Sequence, residues 1–136
     1  MSTRSKIILI LICLFFISCL NEKQTKLTGY FNGKYWDVIS IKGHKYDKPR
    51  YSSFFGKNGD YYYYAYNYHE KENKKVRFKF DYGDVIYPEM WHFENDSIVN
   101  IQSFRYRILK LTKTNFKIQN IEVPSDVTEY QLSPLQ

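Results

Sequence analysis

Val76, Phe78, Phe80 and Tyr82 alternate with Arg77, Lys79 and Asp81. A period of two fits a strand with one face buried and one face wet, and does not fit a helix. The same pattern returns in Phe104, Tyr106 and Ile108, set against Arg105 and Arg107. Turn-forming residues separate such runs every 8–12 residues or so, the spacing of an antiparallel barrel or sandwich. Asn58-Gly59 is the strongest of them, a two-residue hairpin signal. Strands are expected over 35–41, 51–57, 60–69, 76–82, 85–94, 98–101, 104–111 and 116–123, with a charged loop at 70–74. Pro88 interrupts its strand or sends it to an edge. The prediction is an all-β fold, a small antiparallel up-and-down barrel of about eight strands. Closure would leave no Tyr-rich edge unpaired. After Pro124 the residues turn polar, and 124–136 reads as a C-terminal tail.

Ahead of this domain, Met1–Lys6 is basic, Ile7–Ile17 is unbroken apolar sequence, and Ser18-Cys19 closes the run. Positive, then apolar, then small is the order of a cleaved signal peptide, here 1–18. The run is too short to span a bilayer, which takes roughly 20 apolar residues. The Ser18-Cys19 ending resembles the lipobox of bacterial lipoproteins, with Phe16 where those signals usually carry Leu. The resemblance implies cleavage before Cys19 and acylation of Cys19, with chains such as palmitate. It implies an anchor in the Gram-negative cell envelope, at the outer membrane facing the periplasm, with surface exposure as the alternative. Each buried methylene contributes roughly 0.8 kcal/mol, so several chains on one Cys hold firmly. Cys13 would leave with the signal peptide and no disulfide is expected. Residues 19–28 are polar without alternation and read as a flexible tether.

Met90-Trp-His-Phe-Glu-Asn-Asp-Ser-Ile98, Tyr106–Leu111 and Asn115–Ile118 are similar to the second half of lipocalin-like lipoprotein domains. There a "W-x-F-x-N-D" hairpin leads to "Y-x-I-x-x-L" and an apolar strand. Gly33-Lys34-Tyr35-Trp36 resembles the Gly-x-Trp of lipocalins, with one residue more, whose Trp plugs the closed end of the barrel. The resemblance covers 29–123 and implies a small barrel holding a small apolar molecule, without enzyme activity.

Composition says less. Phe, Tyr, Met, Ile, Asn and Lys make up 63 of the 136 residues. They share AT-rich codons, so the aromatic wealth supports strand propensity more than a site. The net charge of +6 suits an acidic glycan or lipid headgroup in an exported protein, and nucleic acid is not expected as a partner. His44, His69 and His92 are isolated, so no metal site is expected. Asp81, Asp84, Glu89 and Glu94 gather near turns, which turn chemistry explains more simply than acid–base catalysis. No nucleophile elbow or phosphate loop is present, so neither enzyme activity nor a cofactor is expected.

The leading expectation is a monomeric, non-catalytic carrier of a small hydrophobic or amphipathic ligand. Its pocket would be lined by Trp36, Tyr64, Tyr66, Phe78, Phe80, Trp91, Phe104 and Tyr106. The alternative is an envelope interaction protein, an inhibitor or glycan-binding module acting through its exterior. For that role Arg77, Lys79, Arg105 and Arg107 would form a basic patch if their strands are neighbours. Asp96-Ser97-Ile98 also resembles a short acceptor for periplasmic O-glycosylation, at Ser97.

Overall fold

The structure, a computed structural model, describes residues 2–69 and 74–136, and side chains apart from those of 16–26, 69 and 74. The expected loop at 70–74 thus lies largely outside the described residues, and so does the side chain of Cys19.

Helix α1 runs from Thr3 to Phe31, capped by the Ser2 hydroxyl accepting from the Ser5 N–H at 3.3 Å. It ends at Asn32, whose N–H reaches the Thr28 carbonyl at 3.0 Å, and Gly33 follows at φ 66°. A residue past a helix end in the left-handed region is usually glycine, which has no Cβ to clash. The expected coil at 19–28 is thus helical backbone. Its Glu, Lys, Gln and Leu are good helix formers, and no Gly or Pro interrupts before Gly29. Among the described residues no helix is long and apolar enough to cross a membrane.

The domain beyond α1 is all-β. Its strands are β1 (Lys34–Ile41), β2 (His44–Lys45), β3 (Tyr51–Phe55), β4 (Tyr61–His69), β5 (Lys74–Lys79), β6 (Trp91–Phe93), β7 (Ile98–Ile101), β8 (Phe104–Leu111), β9 (Asn115–Asn120) and β10 (Val127–Leu132). The antiparallel sheet runs β5-β4-β3-β1-β10-β9-β8-β7-β6, with β2 paired beside β1. This is a meander whose first and last strands are paired and whose ladder is open between β5 and β6. Nine strands therefore lie on the path where eight were expected. Residues 80–90 cross the opening. The Asp60–Met90 bridge and the Trp91 N–H to Gly59 carbonyl bond (2.9 Å) tie them to the β3–β4 turn. Pro88 lies in this crossing, in keeping with an interrupted strand.

Two details correct the sequence reading. Asn58-Gly59 belongs to a three-residue loop closed by the Gly56 N–H on the Asp60 carbonyl (2.7 Å), with Gly59 at φ 85°. And β10 falls within the expected tail, in the middle of the sheet between β1 and β9. Tyr130 faces inward there and stacks on Phe116 at 4.1 Å. Glu129 and Gln131 face out, which is why the segment reads as polar.

The inner face has an aromatic floor. Phe31, the last residue of α1, is fully buried and packs its ring against Trp36, Phe55, Trp91, Phe93 and Phe116, with centroids 4.7–5.8 Å apart. Val38, Val99, Ile101 and Ile118 extend this core. Register shifts at Val38/Ser40 and Ile108/Lys110 add one residue to β1 and β8 against their partners. Such bulges bend and twist a strand, which helps curl the sheet around its core.

Candidate functional site

Above the floor the inner face is tyrosine. Tyr61, Tyr63, Tyr82, Tyr106 and Tyr130 line a pocket of about 250 Å³, with Val38, Ile41, Lys42, Gln102, Asp126 and Thr128. Strand pleating explains the set. Tyr61 and Tyr63 are two apart on β4, and Tyr106 and Tyr130 occupy inward positions of β8 and β10. Tyr82 comes from the crossing segment and lies nearly parallel to Tyr63, 6.4 Å away. Phe80 backs Tyr63 at 5.3 Å.

Burial sets the electrostatics. It pushes the phenols of Tyr61, Tyr63 and Tyr130 well above their ordinary value. Tyr106 is pushed up to about 12, by burial first and then by the Asp126 charge. Tyr82 is raised too, against the opposing effect of its bond from Gln102. All five are therefore neutral donors at neutral pH. The Tyr61 hydroxyl is engaged with Ser53 at 2.8 Å and that of Tyr82 accepts from the Gln102 amide at 3.3 Å. No hydrogen bond within the described residues occupies the hydroxyls of Tyr63 and Tyr106.

The rim is strained. Lys42 (φ 50°) and Gly43 (φ 79°) join Ile41 to its partner His44, and Gln102 (φ 54°) and Ser103 (φ 69°) join Ile101 to Phe104. Positive φ at both central residues marks the type I′ hairpin turn, which favours Asn and Gly. Lys42, Gln102 and Ser103 are neither. The left-handed region costs such residues about 1–2 kcal/mol each. Two of the three, Lys42 and Gln102, line the pocket.

The residues expected to line a pocket are split among four places. Tyr106 lines it, Phe80 backs it, and Trp36 and Trp91 are buried in the floor beneath it. Phe78 is on the inner face but 49% exposed, because β5 ends the sheet there. Phe104 is 43% exposed beside Tyr87. Tyr64 and Tyr66 face outward, since they pair with Lys79 and Arg77 across β4 and β5. The run Tyr61-Tyr62-Tyr63-Tyr64 offers no polarity contrast to fix the inner face. Ala65 and Asn67 beyond it suggest the wrong one.

That outer face is itself ordered. Arg77 lies over the Tyr35 ring at 3.6 Å and Lys75 over Tyr66 at 3.8 Å. Beneath them Asp37 is fully buried, accepting from the Tyr66 hydroxyl and paired with Lys75 at 3.4 Å. Arg77 also donates to the Leu135 carbonyl at 2.6 Å, which draws the C-terminal residues over this network. The expected basic patch does not form. Arg77 and Lys79 are on β5, whereas Arg105 and Arg107 are on β8, with five strands between them along the sheet. Lys79 pairs with Glu89, and Arg105 with Glu94 at 2.8 Å.

No protein-family profile matches the chain, and no curated protein is found similar to it.

The remaining candidates occupy ordinary positions. Ser97 is exposed on the β6–β7 turn, where the Asn95 carboxamide accepts from the N–H groups of Ser97 (2.8 Å) and Ile98 (3.0 Å). Asp81 organises its turn by accepting from the Gly83 N–H at 2.8 Å. Among the described residues no three His, Cys, Asp or Glu side chains gather in a group able to hold a metal.

Proposed function

We propose that this chain is a non-catalytic, lipid-anchored protein of the cell envelope that binds or carries a small amphipathic ligand in the mouth of a lipocalin-like barrel. One observation carries the reading: a pocket of about 250 Å³, walled by five tyrosines, stands open above a filled aromatic floor. The meander order supports the barrel, with residues 80–90 completing the wall where β5 and β6 do not pair. The Ser18-Cys19 ending supports the anchor. The pocket has room for about eight water volumes, so the ligand part it encloses is small, about the size of one ring or a short branched chain.

Native mass spectrometry tests this on protein taken from its own envelope, with Cys19 and as Cys19→Ser. The expected result is an acyl mass on the Cys19 form alone. A small adduct should accompany both forms, leave on denaturation, and be absent from a Tyr63→Ala, Tyr106→Ala variant. A Cys19→Ser form that stays clean at every ligand-preserving condition would refute the carrier role.

One feature favours a second reading, an interaction protein acting through its exterior. Val85, Ile86 and Met90 of the crossing segment are exposed, Ile86 by 94%. Capture of an envelope partner by the native chain and not by Ile86→Glu would support that role. Identical captures would remove it.

A further inference from the structure

We infer that the mouth pocket selects a small zwitterion, its ammonium group held among the tyrosine rings and Asp126 and its anionic end at Lys42. The inference rests on the ligand-binding reading above and names the ligand's chemistry.

Aromatic faces carry the negative part of the ring quadrupole, and cations within about 6 Å of a ring centroid are attracted to it. Five tyrosines supply such rings around one small space. None of them provides a formal charge, since a phenol is neutral at neutral pH and burial only moves its ionisation further into alkali. Among the described residues, Lys42 and Asp126 are the charged residues that line the space. They stand on adjacent backbone, for the Lys42 N–H donates to the Val127 carbonyl at 2.8 Å. Yet the ion pairs among the described residues include neither of them. Asp126 is fixed by its turn, its N–H on the Val123 carbonyl (2.8 Å) and its carbonyl accepting from Asn120 (2.9 Å). Lys42 is held on a strained hairpin turn. Asp126 thus borders the pocket from a fixed turn, its charge felt by Tyr106 and Tyr130. Lys42 carries an exposed side chain from a fixed backbone position at the rim, and the two do not neutralise each other.

The alternatives fit less well. A purely apolar ligand would leave the Asp126 carboxylate and at least two phenol hydroxyls unpaired as it displaced their water. An anion would face the ring quadrupoles and the Asp126 carboxylate with Lys42 alone in its favour. An ammonium finds both the rings and the carboxylate, and a zwitterion engages Lys42 as well.

The test is isothermal titration of the full chain in maltoside micelles with four probes. These are choline, its neutral carbon isostere neohexanol, the anion tert-butylacetate, and phosphocholine. The expected order is phosphocholine, then choline, then neohexanol, with choline about tenfold tighter than neohexanol. In Asp126→Asn, choline should weaken severalfold while neohexanol does not change. In Lys42→Ala, phosphocholine should lose its advantage over choline. Equal binding of choline and neohexanol, or tightest binding of tert-butylacetate, overturns the inference and leaves the pocket reading standing. If no probe binds at millimolar concentration, both fall. The isostere comparison needs no variant, so a poorly folded substitution does not blunt it.

Discussion

Lys42 and Gln102 hold a backbone conformation that glycine would hold at lower cost, and both border the pocket. Strain kept at a cavity rim is a reason to look for function there. Replacing Lys42 by glycine should stabilise the fold by about 0.5–1 kcal/mol, the left-handed penalty less the greater chain entropy of glycine. At Gln102 the lost bond to the Tyr82 hydroxyl should offset that gain. Lys42→Gly should at the same time weaken phosphocholine binding. Urea midpoints and titrations check the two halves separately. A loss of stability in Lys42→Gly would mean that the side chain supports the fold and that the strain is incidental. Neither turn was visible beforehand. Lys42-Gly43 carries half of a hairpin signature and Gln102-Ser103 carries none, because here the strand pairing imposes the turn on residues that do not favour it.

At the level of elements, strand existence was legible and the inner face was not always so. Alternation placed β5 and β8 with the correct residues inward, since Phe and Ile contrast there with Arg and Lys. It failed on β4, where Tyr occupies both faces, and on β10, whose outward Glu129 and Gln131 hid the inward Tyr130. β10 is the strand that joins the two ends of the meander. The residues after it matter as well. The Ser133 N–H bonds the Tyr35 carbonyl at 3.0 Å, and the Gln136 amide brackets the Tyr35 backbone at 3.0 Å on both its groups. Arg77 loses its Leu135 and Ser133 partners if this segment goes. Deleting residues 133–136 should therefore cost about 2–3 kcal/mol, from several lost hydrogen bonds and the uncovering of the Asp37–Lys75 pair. Hydrogen exchange should quicken first at the start of β1 and at the end of β10. Unchanged exchange would show the segment to be a passenger.

For the whole molecule, so many buried phenols impose a limit in alkali. An unfolded tyrosine ionises near 10, whereas the buried ones hold their protons to higher pH, Tyr106 to about 12. Above pH 10 the folded state thus binds more protons than the unfolded state, and stability falls as pH rises. It is full below pH 10 and declines by about 1.4 kcal/mol per pH unit for each such tyrosine. With four strongly raised phenols the fold should give way cooperatively between about pH 10 and 12. Tyrosinate absorbance should then rise in two stages, exposed rings first and buried rings only with unfolding by circular dichroism. A single stage near pH 10 with the fold intact would contradict the burial described. The floor has a consequence of another kind. Phe31 seals it from inside and stands twelve residues after Cys19. That interval measures about 18 Å as helix and at most about 42 Å extended. A lipid on Cys19 would moor the molecule by its sealed base, as a cup is fixed by its foot. The rim would then be upturned to the water, so that cargo arrives and departs by solution and not sideways from the bilayer.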